Sequence, residues 1–92
     1  NSISTIDLSP FINLEEIYCN NNMLNILDVN NNKKLKNLFC RYNTLKSLNV
    51  SNLINLEYLD CSNNQIEILD FEASINVSEI HCANNELKNI GI

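Results

Sequence analysis

Every twenty-first residue of this chain repeats. Cysteines stand at 19, 40, 61 and 82, and asparagines at 1, 22, 43, 64 and 85. Apolar columns keep the same step: Leu14, Leu35, Leu56 and Val77; Ile17, Leu38, Leu59 and Ile80; Ile3, Leu24, Leu45, Ile66 and Leu87. Two more follow, Ile6, Leu27, Leu48, Leu69 and Ile90, then Leu8, Val29, Val50, Phe71 and Ile92. No insertion or deletion breaks the register. A fixed period of this length is the mark of a solenoid, because one unit cannot bury its apolar side chains alone. Stacked coils bury them against the same column one turn away, at about 4.7–4.9 Å if the strands pair. In Leu56–Leu59–Cys61 the final spacing of two marks a strand with alternating faces. Asn63 and Asn64 make the turn out of it. Leu69–Asp70–Phe71 repeats the alternation as a second extended piece on the far side.

Composition narrows the function classes. The 92 residues allow one small domain, spanning 1–92. They include 20 Asn, 13 Leu and 12 Ile but one Gly and one Pro, so asparagine must turn the corners. The formal charge is -5, and Lys33, Lys34 and Lys36 form the one tight basic group. Phosphate neutralisation supplies most nucleic-acid affinity, so nucleic acid is excluded as a partner, and an anionic membrane surface with it. No apolar run approaches the roughly 20 residues that span a bilayer, so membrane insertion is not expected. There is no basic-then-apolar leader, so any targeting segment is expected outside this chain or not at all.

The unit L-x-x-L-x-C-x-x-N-x-L-x-x-L-D-V-S covers essentially the whole chain and resembles a leucine-rich repeat. Its 21-residue period, with cysteine in the third apolar slot, resembles the cysteine-ladder subgroup of internalin-like bacterial surface proteins. That resemblance implies a right-handed coil with one short parallel strand per turn and an extended or 3₁₀ segment opposite. The expected fold is therefore an α/β-type repeat solenoid, mostly β, with little or no helix and a little over four coils. The resemblance also implies an extracellular or cell-surface setting and a concave strand face that binds partner proteins. Neither end has a polar cap, and an uncapped solenoid exposes its core. A partial repeat domain of a longer protein is expected, or one that associates end to end with another copy of itself.

The repeated cysteines and asparagines have structural readings. Zinc or an iron–sulfur cluster wants close ligand pairs such as C-x₂-C, whereas this spacing sets the sulfurs in a straight row. Disulfides between in-register parallel neighbours would be strained. Cys19, Cys40, Cys61 and Cys82 are instead expected as a ladder of buried reduced thiols, small apolar fillers that let the strand side sit close to the core. Asn22, Asn43, Asn64 and Asn85 form the matching polar ladder, each carrying a donor and an acceptor for backbone groups stranded by the turn. A further column, Asp7, Asp28, Asn49 and Asp70, reads as hydrogen bonding at an outer turn, with a weak calcium site as the sharper alternative. No metal and no cofactor are expected.

Function should sit where the repeat leaves residues free. All three tyrosines, one phenylalanine, the single arginine and the single histidine fall on outward positions around the strands. Tyr18 and Phe39 are expected side by side, with Tyr42 and Tyr58 diagonally near them, and Arg41, Asp60 and His81 close by. Exposed aromatics with arginine on a rigid sheet are the usual anchors of a binding surface. Cross-strand stacking for stability alone is the competing reading. The partner expected is a protein, with a glycan second and a purely structural spacer as the alternative function. Asp60, Ser62, Glu79 and His81 share the outer face, but an open sheet supplies neither an oxyanion pocket nor exclusion of water. They are expected as a solvated charge pair and its neighbours, and the chain as no enzyme. The stretches SPFIN, NNNKK, SNLIN and EASIN should form the return loop or a 3₁₀ turn. There Lys33 interrupts the slot of Ile12, Ile54 and Ile75, and a solvated lysine over a locally thinner core is expected. Asn49-Val50-Ser51 and Asn76-Val77-Ser78 match the glycosylation sequon, which a bacterial source would leave idle.

Overall fold

The coils hydrogen-bond to one another through two extended pieces, the first from the first coil onward and the second from the coil after it. The computed structural model of the protein describes residues 4–70 and 77–91. Asn1, Ile3, Phe71, Ile75, Asn76 and Ile92, which the repeat assigns to columns or to a sequon, lie outside the described residues. The first piece gives β1 (Glu16–Tyr18), β2 (Asn37–Phe39), β4 (Tyr58–Asp60) and β6 (Glu79–His81). The second gives β3 (Ser47–Asn49), β5 (Ile68–Asp70) and β7 (Asn89–Gly91). They form two parallel sheets, ordered β1-β2-β4-β6 and β3-β5-β7. Leu38 pairs with Ile17 on one side and Leu59 on the other, so the register equals the repeat. The second sheet goes beyond the single strand per coil that the resemblance implied. An indel-free repeat brings the far segment's amides opposite the next coil's carbonyls as surely as the near segment's. Among the described residues there is no helix, hence none long and apolar enough to cross a membrane. The fold is a mostly β repeat solenoid.

The apolar columns fill the space between the sheets. Leu24, Leu35, Leu38, Leu45, Leu56, Leu59, Ile66 and Leu69 are each fully buried. The return segment is made of tandem turns, in which Asn32 N donates to Val29 O and Leu35 N to Asn32 O, while Leu53 N donates to Val50 O and Leu56 N to Leu53 O. Steps of three send residues 29, 32 and 35 inward together. The slot one residue later therefore faces solvent, and Ile12 and Ile54 are 60% and 56% exposed. This corrects the expectation of a core thinned at Lys33, whose side chain is exposed and whose ammonium donates to Asn30 O. The inward residue is Asn32, fully buried, with its Nδ2 donating to Leu8 O and Phe11 O of the preceding coil.

The asparagine ladder ties coils together as well as serving its own turns. Asn64 Nδ2 donates to Cys61 O and Ser62 O in its own coil and to Cys40 O in the coil before, while Oδ1 accepts from Leu45 N. Asn43 repeats the pattern with Cys40 O, Cys19 O and Leu24 N, and Asn85 with Cys82 O, Cys61 O and Ile66 N. Asn22 donates to Cys19 O and Asn20 O. The outer column does the turn work expected of it: Asp7 Oδ1 accepts from Ser9 N and Oγ, Asp28 Oδ1 from Asn30 N, and Asn49 Oδ1 from Ser51 N and Oγ. Those Ser9 donors hold the Asp7 carboxyl below its usual range.

All four cysteines are free thiols, three of them buried and Cys82 half-buried. Burial pushes the Cys19 thiol up to about 11 and Cys61 up to about 12, and carries Cys40 well above the ordinary value. The folded chain holds its thiol protons where the unfolded chain has released them. Their stabilising contribution is therefore complete below the ordinary thiol value of 9.0 and is lost as pH rises towards about 12. Urea midpoints should fall across that window, and the fall should shrink in a Cys61→Ala variant that remains folded. Asn64→Ala leaves Leu45 N and the turn carbonyls short of partners. It should cost about 2–4 kcal/mol in urea unfolding, with a smaller loss for Asn85→Ala at a half-buried rung.

Candidate functional site

The outward side chains of β1, β2, β4 and β6 stand in two rows fixed by strand register. One row runs Glu16, Asn37, Tyr58, Glu79, and the other Tyr18, Phe39, Asp60, His81. Sequence alternation put the leucines inward, so these residues had no face left but the outer one. Tyr18 and Phe39 stack face to face, with ring centroids 4.7 Å apart and planes within 6°. Phe39 meets Tyr58 at 5.0 Å, and Tyr58 meets His81 at 5.4 Å, both tilted. The result is one unbroken row of rings crossing all four strands. The neighbours expected from sequence, Tyr18 beside Phe39 and Tyr58 diagonal to it, are found together. The extension of the row through the His81 imidazole was not foreseen, although the diagonal from residue 58 to residue 81 could have suggested it.

Polar contacts fix the edges of this row. Tyr18 Oη donates to Glu16 Oε1 at 3.1 Å, and Asn37 Nδ2 donates to Glu16 Oε2 at 3.2 Å. The Glu16 bond raises the Tyr18 phenol above its usual value. Loss of hydration and the nearby Asp60 and Glu79 carboxylates do the same for Tyr58, with Arg41 opposing them. His81 Nε2 sits 2.7 Å from Glu79 Oε2.

Asp60 departs from expectation. It is 5% exposed rather than solvated, and its partner is not His81. Register sets it between Phe39 and His81, with Tyr58 two residues before it on the same face, so the row of rings surrounds the carboxylate. Its Oδ1 accepts from Ser62 N at 3.2 Å and Ser62 Oγ at 2.8 Å, and Oδ2 lies 3.5 Å from Arg41. The Ser62 hydroxyl thus points its proton at Asp60 while His81 is paired with Glu79, and no nucleophile–base pair forms. Among the described residues no three His, Cys, Asp or Glu side chains converge as metal ligands would.

Arg41 connects Asp60 to Tyr42, whose ring lies 5.6 Å from the guanidinium carbon. Tyr42 is 51% exposed at a position with φ of 58°. The corresponding residues of the other coils, Asn21, Asn63 and Asn84, have φ of 57–61°. Asparagine tolerates this left-handed region, whereas a bulky ring is disfavoured there. The repeated Asn explains the turn, and Tyr42 is its one departure.

The two ladders and the two sheets decide the architecture. The chain has the fold of a leucine-rich repeat with a cysteine ladder. It is similar to the solved functional domain of InlJ from Listeria monocytogenes, described as including a cysteine ladder, with a TM-score of 0.92 and 36% identity. The match covers 97% of this chain and 20% of that one, so this leucine-rich repeat spans about a fifth of the length of the protein it matches. No family model matches the chain, and no curated protein matches it in sequence.

Within this repeat, Tyr42→Asn should raise stability by about 0.5–1 kcal/mol, the relief of a left-handed aromatic less the lost arginine contact. Thermal and urea unfolding of the two proteins side by side would show it. A destabilised Asn variant would mean the ring is held there by packing rather than against the backbone's preference.

Proposed function

We propose that the chain is a non-enzymatic protein-binding module of a bacterial surface or secreted protein, and that the outer face of its four-stranded sheet is the recognition surface. The observation that carries this reading is the ring row Tyr18–Phe39–Tyr58–His81, exposed at its two ends, with Tyr18 67% exposed, and half-buried at Phe39 and Tyr58. Exposed aromatics on a rigid scaffold lose little side-chain entropy on binding and supply most of the energy at protein interfaces. The sheet beneath them is tied by backbone bonds and by the asparagine ladder, so a partner meets a preformed surface. Arg41 and Tyr42 extend the surface at one rim, with Asp60 holding the guanidinium. Similarity to an internalin-like domain supports a repeat used for binding and a place on the bacterial exterior.

A second reading is favoured by one specific observation. Phe39 and Tyr58 have ring neighbours on both sides. Cross-strand aromatic pairs stabilise sheets without any partner, which suits a spacer array. The two readings separate in one experiment. A Tyr18→Ala, Phe39→Ala, Tyr58→Ala variant, shown to be folded by circular dichroism, is compared with the wild type against a panel of surface proteins. Binding by the wild type that drops at least about tenfold in the variant supports recognition. Equal behaviour of the two, with the variant merely less stable, supports the spacer.

A further inference from the structure

The arrangement of rings and carboxylates points further, to the chemistry of the partner. We infer that the sheet face takes a basic protein segment, one that lays Lys or Arg side chains along the row of rings. This inference rests on the binding reading above and names the partner class of that same surface. Tyr18 and Phe39 lie face to face, and Tyr58 and His81 continue the row at tilts of 37° and 41°, so each half-buried inner ring has a ring neighbour on both sides and little open face. Saccharides and nucleobases stack on ring faces, which here are open only at the two ends of the row. Ring edges instead offer apolar flanks against which the methylene stems of Lys and Arg can lie.

Charge favours the same occupant. The eight outward strand positions carry three carboxylates, Glu16, Asp60 and Glu79, and neither Lys nor Arg. Asp60 is already met by Arg41 and Ser62. Glu16 is different, because Tyr18 Oη and Asn37 Nδ2 hold its two oxygens while leaving its charge uncompensated. No ion pair reaches it among the described residues. Glu79 marks the other end of the row, exposed and, among the described residues, in an ion pair only with the imidazole of His81. The face thus offers two oriented anions flanking a band of ring edges. A segment bringing one cation to each end, with its stems across the rings, matches that pattern in sign and in polarity.

The test is selection from a display library of random peptide segments with equal input of acidic and basic residues. The wild-type chain serves as bait, and the folded triple ring variant as counter-bait. Sequences captured in a ring-dependent way should be enriched in Lys and Arg over the input. A Glu16→Gln, Glu79→Gln chain should hold the same sequences about three- to tenfold more weakly, and added salt should narrow that gap. Both glutamates are exposed, so the double variant keeps the fold. Ring-dependent capture of neutral or acidic sequences would overturn the inference while leaving the binding face standing. Ring-dependent capture on a glycan array run in parallel, in place of any basic segment, would overturn it in the same way. Absence of any ring-dependent capture would remove the binding reading and this inference together.

Discussion

The hydrogen bonds that asparagine side chains make between coils are what the rest of the fold depends on. A chain that turns inside its own core strands backbone amides and carbonyls, and each left unpaired costs about 1–3 kcal/mol. Asn64 satisfies groups in its own turn and in the preceding coil at once, through three donated bonds and one accepted. Because Asn43, Asn64 and Asn85 each reach back one coil, the ladder also sets the translation from coil to coil. Thiols beside it complete the arrangement. Cys40 and Cys61 are fully buried, and their small sulfurs allow the strand to close tightly over the turn where a leucine would hold it away.

Rigidity of this kind has a functional consequence. With leucines pointing in and backbone amides spoken for, a strand position facing outward can change without disturbing the core. The rows on β1, β2, β4 and β6 are therefore where sequence is free to vary, and they are where the aromatics gather. Turn positions are constrained differently. Asn21, Asn63 and Asn84 suit a left-handed backbone, and Tyr42 occupies the equivalent place at φ of 58°. A ring placed against the backbone's preference, beside an arginine held by a buried carboxylate, trades stability for surface chemistry.

Most of the fold could be read from the chain because its columns are uninterrupted. A period without insertions states directly which residues share a neighbour, and the cysteine, asparagine and strand columns all lie where that logic puts them. The failures came where a second, shorter period took over. The return segment moves in steps of three, so Leu53 turns inward as its hydropathy favours, while Asn32 turns inward and Ile12 and Ile54 outward against theirs. Asp60 failed for another reason. Strand alternation placed it on the outer face, but its place between Phe39 and His81 and its contacts with Ser62 and Arg41 leave it 5% exposed. Columns describe what lies one coil away in register; the pairing of His81 with Glu79 and of Asp60 with Ser62 depends on rotamers within one coil, and that of Asp60 with Arg41 on a diagonal neighbour, none of which a column contains.

Repetition also carries an electrostatic constraint that shapes the variable faces. A charged residue repeated in every coil would face its own copy about 4.8 Å away, which is destabilising for like charges. The rims avoid this by alternating sign. Glu15, Lys36 and Glu57 follow one another in one column and Lys46, Glu67 and Lys88 in another, with Lys36–Glu15 at 3.9 Å and Lys88–Glu67 at 3.5 Å. The outer strand row solves the same problem by dilution. Asn37 and Tyr58 separate Glu16 from Glu79, placing the two carboxylates three strand spacings apart, about 14 Å, beyond the screening length of roughly 10 Å at moderate salt. Like charge therefore sits on this face at little electrostatic cost to the stack, and the residues that keep the two carboxylates apart are themselves part of the surface presented outward.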